Sequence, residues 1–198
     1  MDKVYKSAET FKRMLSVKYT FVVSHKRKLK TIVLDFQSED FRHAVGLHYI
    51  DDIVIERNPS KVIDAIINKK ITDKILYKSN KYNANLPYCG NVKERIEEMC
   101  FIEEYLDKSD FIRIYEWQAF GSNIEADFFI EASNMKRKST VYIFIRKRVE
   151  NDNYVVVSFF KKHNVFRGTF LYWMLKEKDV NGVVTELYKN SSYRKELE

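Results

Sequence analysis

The side chains in this sequence best suited to chemistry lie in one stretch, Phe41–Ile50, which reads FRHAVGLHYI. It carries two of the four histidines, His43 and His48, with Arg42 beside the first and Gly46 between them. Histidine gains or loses a proton near neutral pH, so a pair of them can supply an acid and a base. The spacing limits other uses. Five residues rotate a helical side chain by about 140°, so the two imidazoles cannot share a metal on a straight helix. A zinc helix of the HExxH kind needs a spacing of four and a glutamate, and this stretch has neither. Cys89 and Cys100 also lack a metal-ligand pattern, and Cys100 falls where a helix would bury it. The residues therefore call for no metal and no cofactor.

A helix must hold these groups. Ser38 is placed to cap it, and Glu39 and Asp40 suit the positive end of its dipole. Phe41, Ala44, Val45 and His48 follow one helical face, with His43, Leu47 and Ile50 on its neighbour. If Gly46 ends the helix early, His48 sits in the turn beyond. His43 lies about 160° from Phe41 around the helix and should face a cleft edge.

Before that helix, a helix over residues 2–16 precedes two strands, 18–24 and 29–36, joined by the basic turn His25–Lys28. After it, Asn58-Pro59 opens another helix and Thr72 caps a short one. Residues 78–91 read as a loop, and Asn91 with Glu94 forms a capping box for a helix over 92–107. Strand-like stretches then run over 111–119, 124–131, 139–148, 154–162, 168–177 and 183–188. The last two meet at Asn181-Gly182, a strong hairpin signal. Short polar turns predict an antiparallel meander. The fold class is α+β: N-terminal helices and an early hairpin packed on a curved antiparallel sheet, in one domain over 1–198.

Strand alternation places Tyr154, Val156, Ser158 and Phe160 on one side, with Val155, Val157 and Phe159 on the other. Ser158 stands out among apolar neighbours. Either it bonds backbone at a packed position or it aims a hydroxyl into a cleft. Tyr142, Phe144, Arg146 and Arg148 share a side of the preceding strand, and Tyr172, Met174 and Lys176 share one on the strand after it.

With 35 Lys and Arg against 28 Asp and Glu, the formal charge is +7 over 198 residues. That mild excess is compatible with a phosphate-rich partner, and the turn His25–Lys28 with Lys30 is its densest cluster. No run approaches the ~20 apolar residues of a membrane span. No signal-peptide stretch opens the chain. The expectation is a soluble, cytoplasmic protein without a membrane partner.

With FRHAVGLHYIDDI on a helix and VVSFFKK on a late strand, the chain resembles the phage-associated Barnase–EndoU–colicin–RelE-like nucleases, in particular their fourth phage-type family. The match lies in His43-Ala44-Val45-Gly46-Leu47-His48, with Ala44-Val45 replacing the leucine-led pair usual after the first histidine. It extends to Arg95 in the helix before the late strands and to Ser158-Phe159-Phe160. The resemblance covers roughly residues 20–190 and implies a metal-independent, toxin-like RNase of phages or other mobile elements. RNA is then the substrate, and an immunity protein or antitoxin a possible partner.

The residue chemistry agrees. RNA can be cleaved by its own 2′-hydroxyl, given a base, an acid and a cation on the phosphorane. His43, His48, Ser158 and Arg95 are the candidate catalytic set, and Arg42, Lys162 and Tyr172 the candidate contacts for phosphate and base. The competing reading is a non-catalytic module that keeps the fold and binds nucleic acid or protein. Under it His48, sharing a face with Phe41 and Val45, is a core histidine and the lysines are solvated. The mutual placement of His43, His48, Arg95 and Ser158 separates the two.

Overall fold

The computed structural model describes residues 2–86, 90–116 and 123–194. Cys89 and the predicted strand residues 117–119 lie outside them. Helix α1 (Lys3–Met14) is capped by Asp2, whose carboxylate accepts the Tyr5 N–H, and buries Val4, Ala8, Phe11 and Met14. Strands β1 (Val17–His25) and β2 (Lys28–Leu34) form the predicted hairpin. Short helices α2 (Asp40–Ala44), α3 (Val62–Ile67) and α4 (Asp73–Leu76) follow. Asn58 and Thr72 cap as expected: Asn58 accepts the Ser60 N–H and Thr72 accepts that of Ile75.

Two helices differ from expectation. Ser38 does not cap α2; its hydroxyl bonds Glu39, and Asp40 instead accepts the Gln37 N–H at 2.7 Å. The helix expected over 92–107 is two, α5 (Val92–Met99) and α6 (Ile102–Asp107). Phe101, with φ −128° and ψ 14°, leaves helical geometry between them. Asn91 still caps α5 by accepting the Glu94 N–H at 2.9 Å.

Strands β3 (Phe111–Tyr115), β4 (Phe128–Asn134), β5 (Ser139–Lys147), β6 (Tyr154–Lys161), β7 (Gly168–Val180) and β8 (Val183–Lys189) complete the chain. From β3 to β6 they form the predicted antiparallel meander, and β7–β8 the predicted hairpin. The expected open curved sheet is not found. Instead β7 pairs with both β3 and β1, and β2 runs parallel to β6 at Leu34 and Tyr154, so seven strands close into a mixed barrel. The length of β7 permits this closure: residues 168–171 pair with β3, and from Tyr172 onward the strand pairs with β1. Gly168 makes the crossing possible, since a Cβ there would come within 2.2 Å of the Ile114 carbonyl oxygen.

Adjacent side chains of a strand face opposite ways, and each face here has a core. Val141, Ile143 and Ile145 of β5 join the main core with α1, α5 and the barrel strands. Tyr142 and Phe144 join an aromatic cluster on the other face with Phe129, Phe160 and Phe166. On β6 the predicted alternation fails. The register slips at Val157, so Phe144 pairs with Ser158 but Ile145 with Val156. Such a bulge inserts one residue and reverses the faces beyond it. Tyr154, Val156 and Phe159 therefore share the main core, while Phe160 packs in the second cluster.

Arg148, placed by alternation on the side of Tyr142 and Phe144, is buried past the end of β5. Its Nε donates to Asp35 at 2.7 Å, and its Nη1 and Nη2 donate to the two carboxylate oxygens of Asp40 at 3.1 and 2.5 Å. The three side chains retain 6, 14 and 8% of their exposure. Removing one member of a buried ion group strands the others without compensation. Arg148→Ala should therefore lower the unfolding free energy by about 3–5 kcal/mol, read from urea denaturation. A loss within about 0.5 kcal/mol, as at an ordinary surface site, would contradict this role.

Candidate active site

Chain geometry in the histidine stretch is set by Gly46. Helix α2 stops at Ala44, and Gly46 adopts φ +76°, a left-handed conformation that favours glycine. A single 3-10 turn, Leu47–Tyr49, follows. Because the helix ends there, the two imidazoles are not held about 140° apart as on a straight helix. They stack, with ring centroids 4.3 Å apart and planes at 30°. Tyr49 packs on His48 at a tilt, ring centroids 3.9 Å apart and planes at 40°. Val45 and Leu47 are buried beneath, so apolar packing holds the turn in place.

The pair opens into a cavity of about 440 Å³ between the α2 turn and β6. Its walls include Asp40, Tyr49, Glu125, Arg146 and Ser158. Ser158 is only 6% exposed, and the bulge at Val157 sets the strand's facing here. Behind the serine lies Arg95, 1% exposed, with its Nη1 3.4 Å from the Ser158 hydroxyl. The guanidinium is also 5.2 Å from the Phe160 ring centroid and 5.6 Å from that of Tyr49. Such cation–π contacts help hold a buried guanidinium. A Cβ at residue 46 would meet Arg95 side-chain atoms at 3.2 Å, so Gly46 also gives Arg95 its space.

Four of the residues chosen from sequence thus converge. His43, His48 and Ser158 reach the cavity; Arg95 backs it without reaching its surface. Arg42 is half-buried next to the pair but does not line the cavity. The other two choices fall elsewhere. Lys162 is paired with Glu131 at 2.6 Å and lies 5.5 Å from the Tyr142 ring, against the aromatic cluster. Tyr172 lies on β7 opposite Ser24, 71% exposed. The pairing of β7 with β1 sets the place of Tyr172, and contacts to β4 and β5 set that of Lys162, neither of which a local pattern registers. Sequence reasoning missed Tyr49 as a ring partner, although it adjoins His48. Nor did it single out Arg146 for the site, although Arg146 lines the cavity and pairs with Glu125 at 3.2 Å.

Both histidines are held neutral. Burial pushes the His48 imidazole down to about 4, and His43, Arg95 and Arg42 add to the effect against a contact with the Arg42 backbone. His48 Nδ1 is buried without a hydrogen-bond partner among the described residues. His43 is exposed at the rim, but loss of water on its covered side, followed by the charges of Arg42 and Arg146, lowers its pKa too. Asp40 shifts up: burial outweighs the opposing Arg148 and Gln37 N–H bonds. Among the described residues no group of three His, Cys, Asp or Glu side chains is placed to hold a metal ion.

Neutral imidazoles over a serine backed by a guanidinium can move a proton and receive an anion. The pKa shifts also bear on stability. The unfolded chain binds protons to its histidines near 6.5, and the folded chain does so only at lower pH, so stability rises with pH across that interval. The contribution of His48 is lost as pH falls from 6.5 towards 4. His48→Asn should therefore flatten the fall of the thermal midpoint between pH 6.5 and 4.5. Parallel parental and variant curves would mean that His48 is not held neutral.

A family model described as phage-Barnase-EndoU-ColicinE5/D-RelE like nuclease4 matches residues 3–195. No curated protein and no solved structure matches the chain.

Proposed function

We proceed from the fact that the chain belongs to the phage-Barnase-EndoU-ColicinE5/D-RelE like nuclease4 family, and we propose that it is an endoribonuclease that cleaves RNA by 2′-hydroxyl transesterification without a metal. The observation that carries this reading is the stacked pair His43–His48 lining one cavity together with Ser158.

In this reading His48, deeper and neutral, takes the proton from the 2′-hydroxyl. The 2′-oxygen attacks phosphorus, and the bond from phosphorus to the 5′-oxygen breaks. His43, at the rim, gives its proton to that departing oxygen. The products are a 2′,3′-cyclic phosphate and a 5′-hydroxyl. A bound phosphodiester raises the proton affinity of the pair by its negative charge, which brings His43 into its acid form. Their rings touch, so the pair titrates as a unit rather than as two independent groups. Ser158 donates a hydrogen bond to a non-bridging oxygen, and Arg95 positions that hydroxyl from behind. Arg146 neutralises the phosphorane once it leaves Glu125. Tyr49, exposed beside His48, offers a face for a base.

A non-catalytic binding module is the alternative. The exposure of His43 and the polar wall of the cavity favour catalysis over it, since a core histidine would be enclosed by apolar groups.

His43→Ala should lower the single-turnover cleavage rate of single-stranded RNA by roughly 10²–10⁴-fold. The thermal midpoint should stay put, because His43 is exposed. Parental cleavage by the variant would remove His43 from the reaction; loss only in step with unfolding would do the same. The pH profile gives a second check. In kcat/KM, which reports the free protein, a coupled pair of imidazoles shifted below their ordinary 6.5 predicts a bell with its maximum on the acid side of 6.5. A profile rising steadily through pH 8 would contradict the assignment.

A further inference from the structure

We propose that the β1–β2 hairpin and the cavity beside it form a second nucleotide subsite, which holds the part of an RNA strand flanking the bond cleaved at the histidines. The ligand class rests on the nuclease reading above; the site itself rests on separate observations.

The first is the turn. His25 pairs with Lys28, so Lys26 and Arg27 form a two-residue hairpin loop with φ of 49° and 65°. Asn-Gly suits such left-handed positions, and this same chain uses Asn181-Gly182, at 52° and 87°, for its β7–β8 turn. At the β1–β2 turn two long cations occupy them instead, against backbone preference.

The second is charge. Arg113, Arg137, Arg146, Arg148, Lys161, Lys162 and Lys178 are all paired with carboxylates. Lys26, Arg27, Lys28 and Lys30 are in none of the ion pairs among the described residues, nor are Lys69 and Lys70, but here four cations fall within five positions. They leave a concentrated positive charge with no internal partner, the footprint of a polyanion site.

The third is shape. A cavity of about 560 Å³ adjoins the hairpin, with Val23, Ile114, Phe128 and Leu171 for walls and Lys28 and Lys30 at its edge. Lys30 Nζ is 4.7 Å from the Phe128 ring centroid and 5.8 Å from that of Tyr154, which fixes it over the apolar wall. Asp127 also lines the cavity, but its carboxylate accepts the Lys147 N–H at 2.7 Å. Apolar walls with cations at the edge suit a base and its phosphate.

The fourth is continuity. Residues 123–125 line the histidine cavity, and residues 126–128 line this one. Three residues of extended chain span at most about 11 Å. One RNA strand can therefore lie along this segment and enter both cavities.

The test uses the full chain and 2′-O-methyl oligonucleotides, which bind but cannot react. The triple variant K26E/R27E/K28E should weaken binding of an octanucleotide about tenfold or more. It should leave the affinity for a dinucleotide, confined to the histidine cavity, unchanged. The second variant, K26N/R27G, installs the favoured turn. It should raise the thermal midpoint yet still weaken octanucleotide binding. An octanucleotide carrying 4-thiouridine should photocrosslink to a peptide containing Lys30 or Phe128. Parental octanucleotide affinity in both variants, or an equal loss for both lengths, would overturn the subsite and leave a solvated turn only. If the parent cleaves RNA but these variants bind normally, the subsite fails and the nuclease reading stands. If the length-dependent loss appears in a protein that cleaves nothing, the nuclease reading fails and the subsite stands.

Discussion

A buried guanidinium holds the working part of this protein in place. Arg148 reaches from the end of β5 to Asp35 beyond β2 and to Asp40 at the first turn of α2. Asn153, from the turn that leads into β6, donates to the second oxygen of Asp35 at 2.6 Å. Two stretches distant in sequence, 35–40 and 148–153, are thereby tied at one point, and Asp40 lies three residues before His43. Burying these charges is costly unless each finds partners, and here the carboxylates divide the guanidinium between them. A hydrophobic plug of similar volume could hold the segments as firmly. It could not fix their orientation through a bidentate bond to Asp40.

From that anchor the site is aimed by departures from regular backbone. Gly46 stops α2 and folds His48 back on His43, and the bulge at Val157 reverses the facing of β6 just before Ser158. Each costs stability locally, and each is surrounded by packing that fixes it: Val45 and Leu47 below the turn, Phe159 and Phe160 beyond the bulge. Irregularities that bring polar groups to one cavity are what functional sites share when local preference and structure disagree. A second buried network braces the other side of α5. Glu98 bonds Tyr105, and its other oxygen lies 3.0 Å from Arg137 and 3.2 Å from Lys161. Burial alone would push its carboxyl up; these partners outweigh it and hold it below the usual range.

Much of this was legible in the sequence because it is local. Caps at Asn58, Thr72 and Asn91, the strand alternation on β5 and the Asn181-Gly182 turn depend on neighbours a few residues away. His43, His48 and Ser158 were legible as polar groups out of place in apolar patterns. What stayed hidden is long-range. Nothing in residues 168–180 says that their two halves pair with different strands, so the barrel read as an open sheet. A bulge within Val155-Val156-Val157 changes no residue type, so the reversal of β6 left no trace. The ion group of Arg148 left no local trace because its partner Asp40 lies 108 residues away. Lys162 and Tyr172 were chosen as phosphate and base contacts, and their places, at Glu131 and opposite Ser24, depend on residues far away in the sequence.

In the proposed reaction the stacked histidines activate the substrate's own 2′-hydroxyl. A DNA oligonucleotide containing one internal ribonucleotide tests it most directly, incubated with the protein in excess chelator and its products resolved by mass. The account predicts a single cut, 3′ of the ribonucleotide, leaving a 2′,3′-cyclic phosphate and a 5′-hydroxyl. Cleavage of the all-deoxy strand, or products ending in a 3′-hydroxyl and a 5′-phosphate, would contradict it.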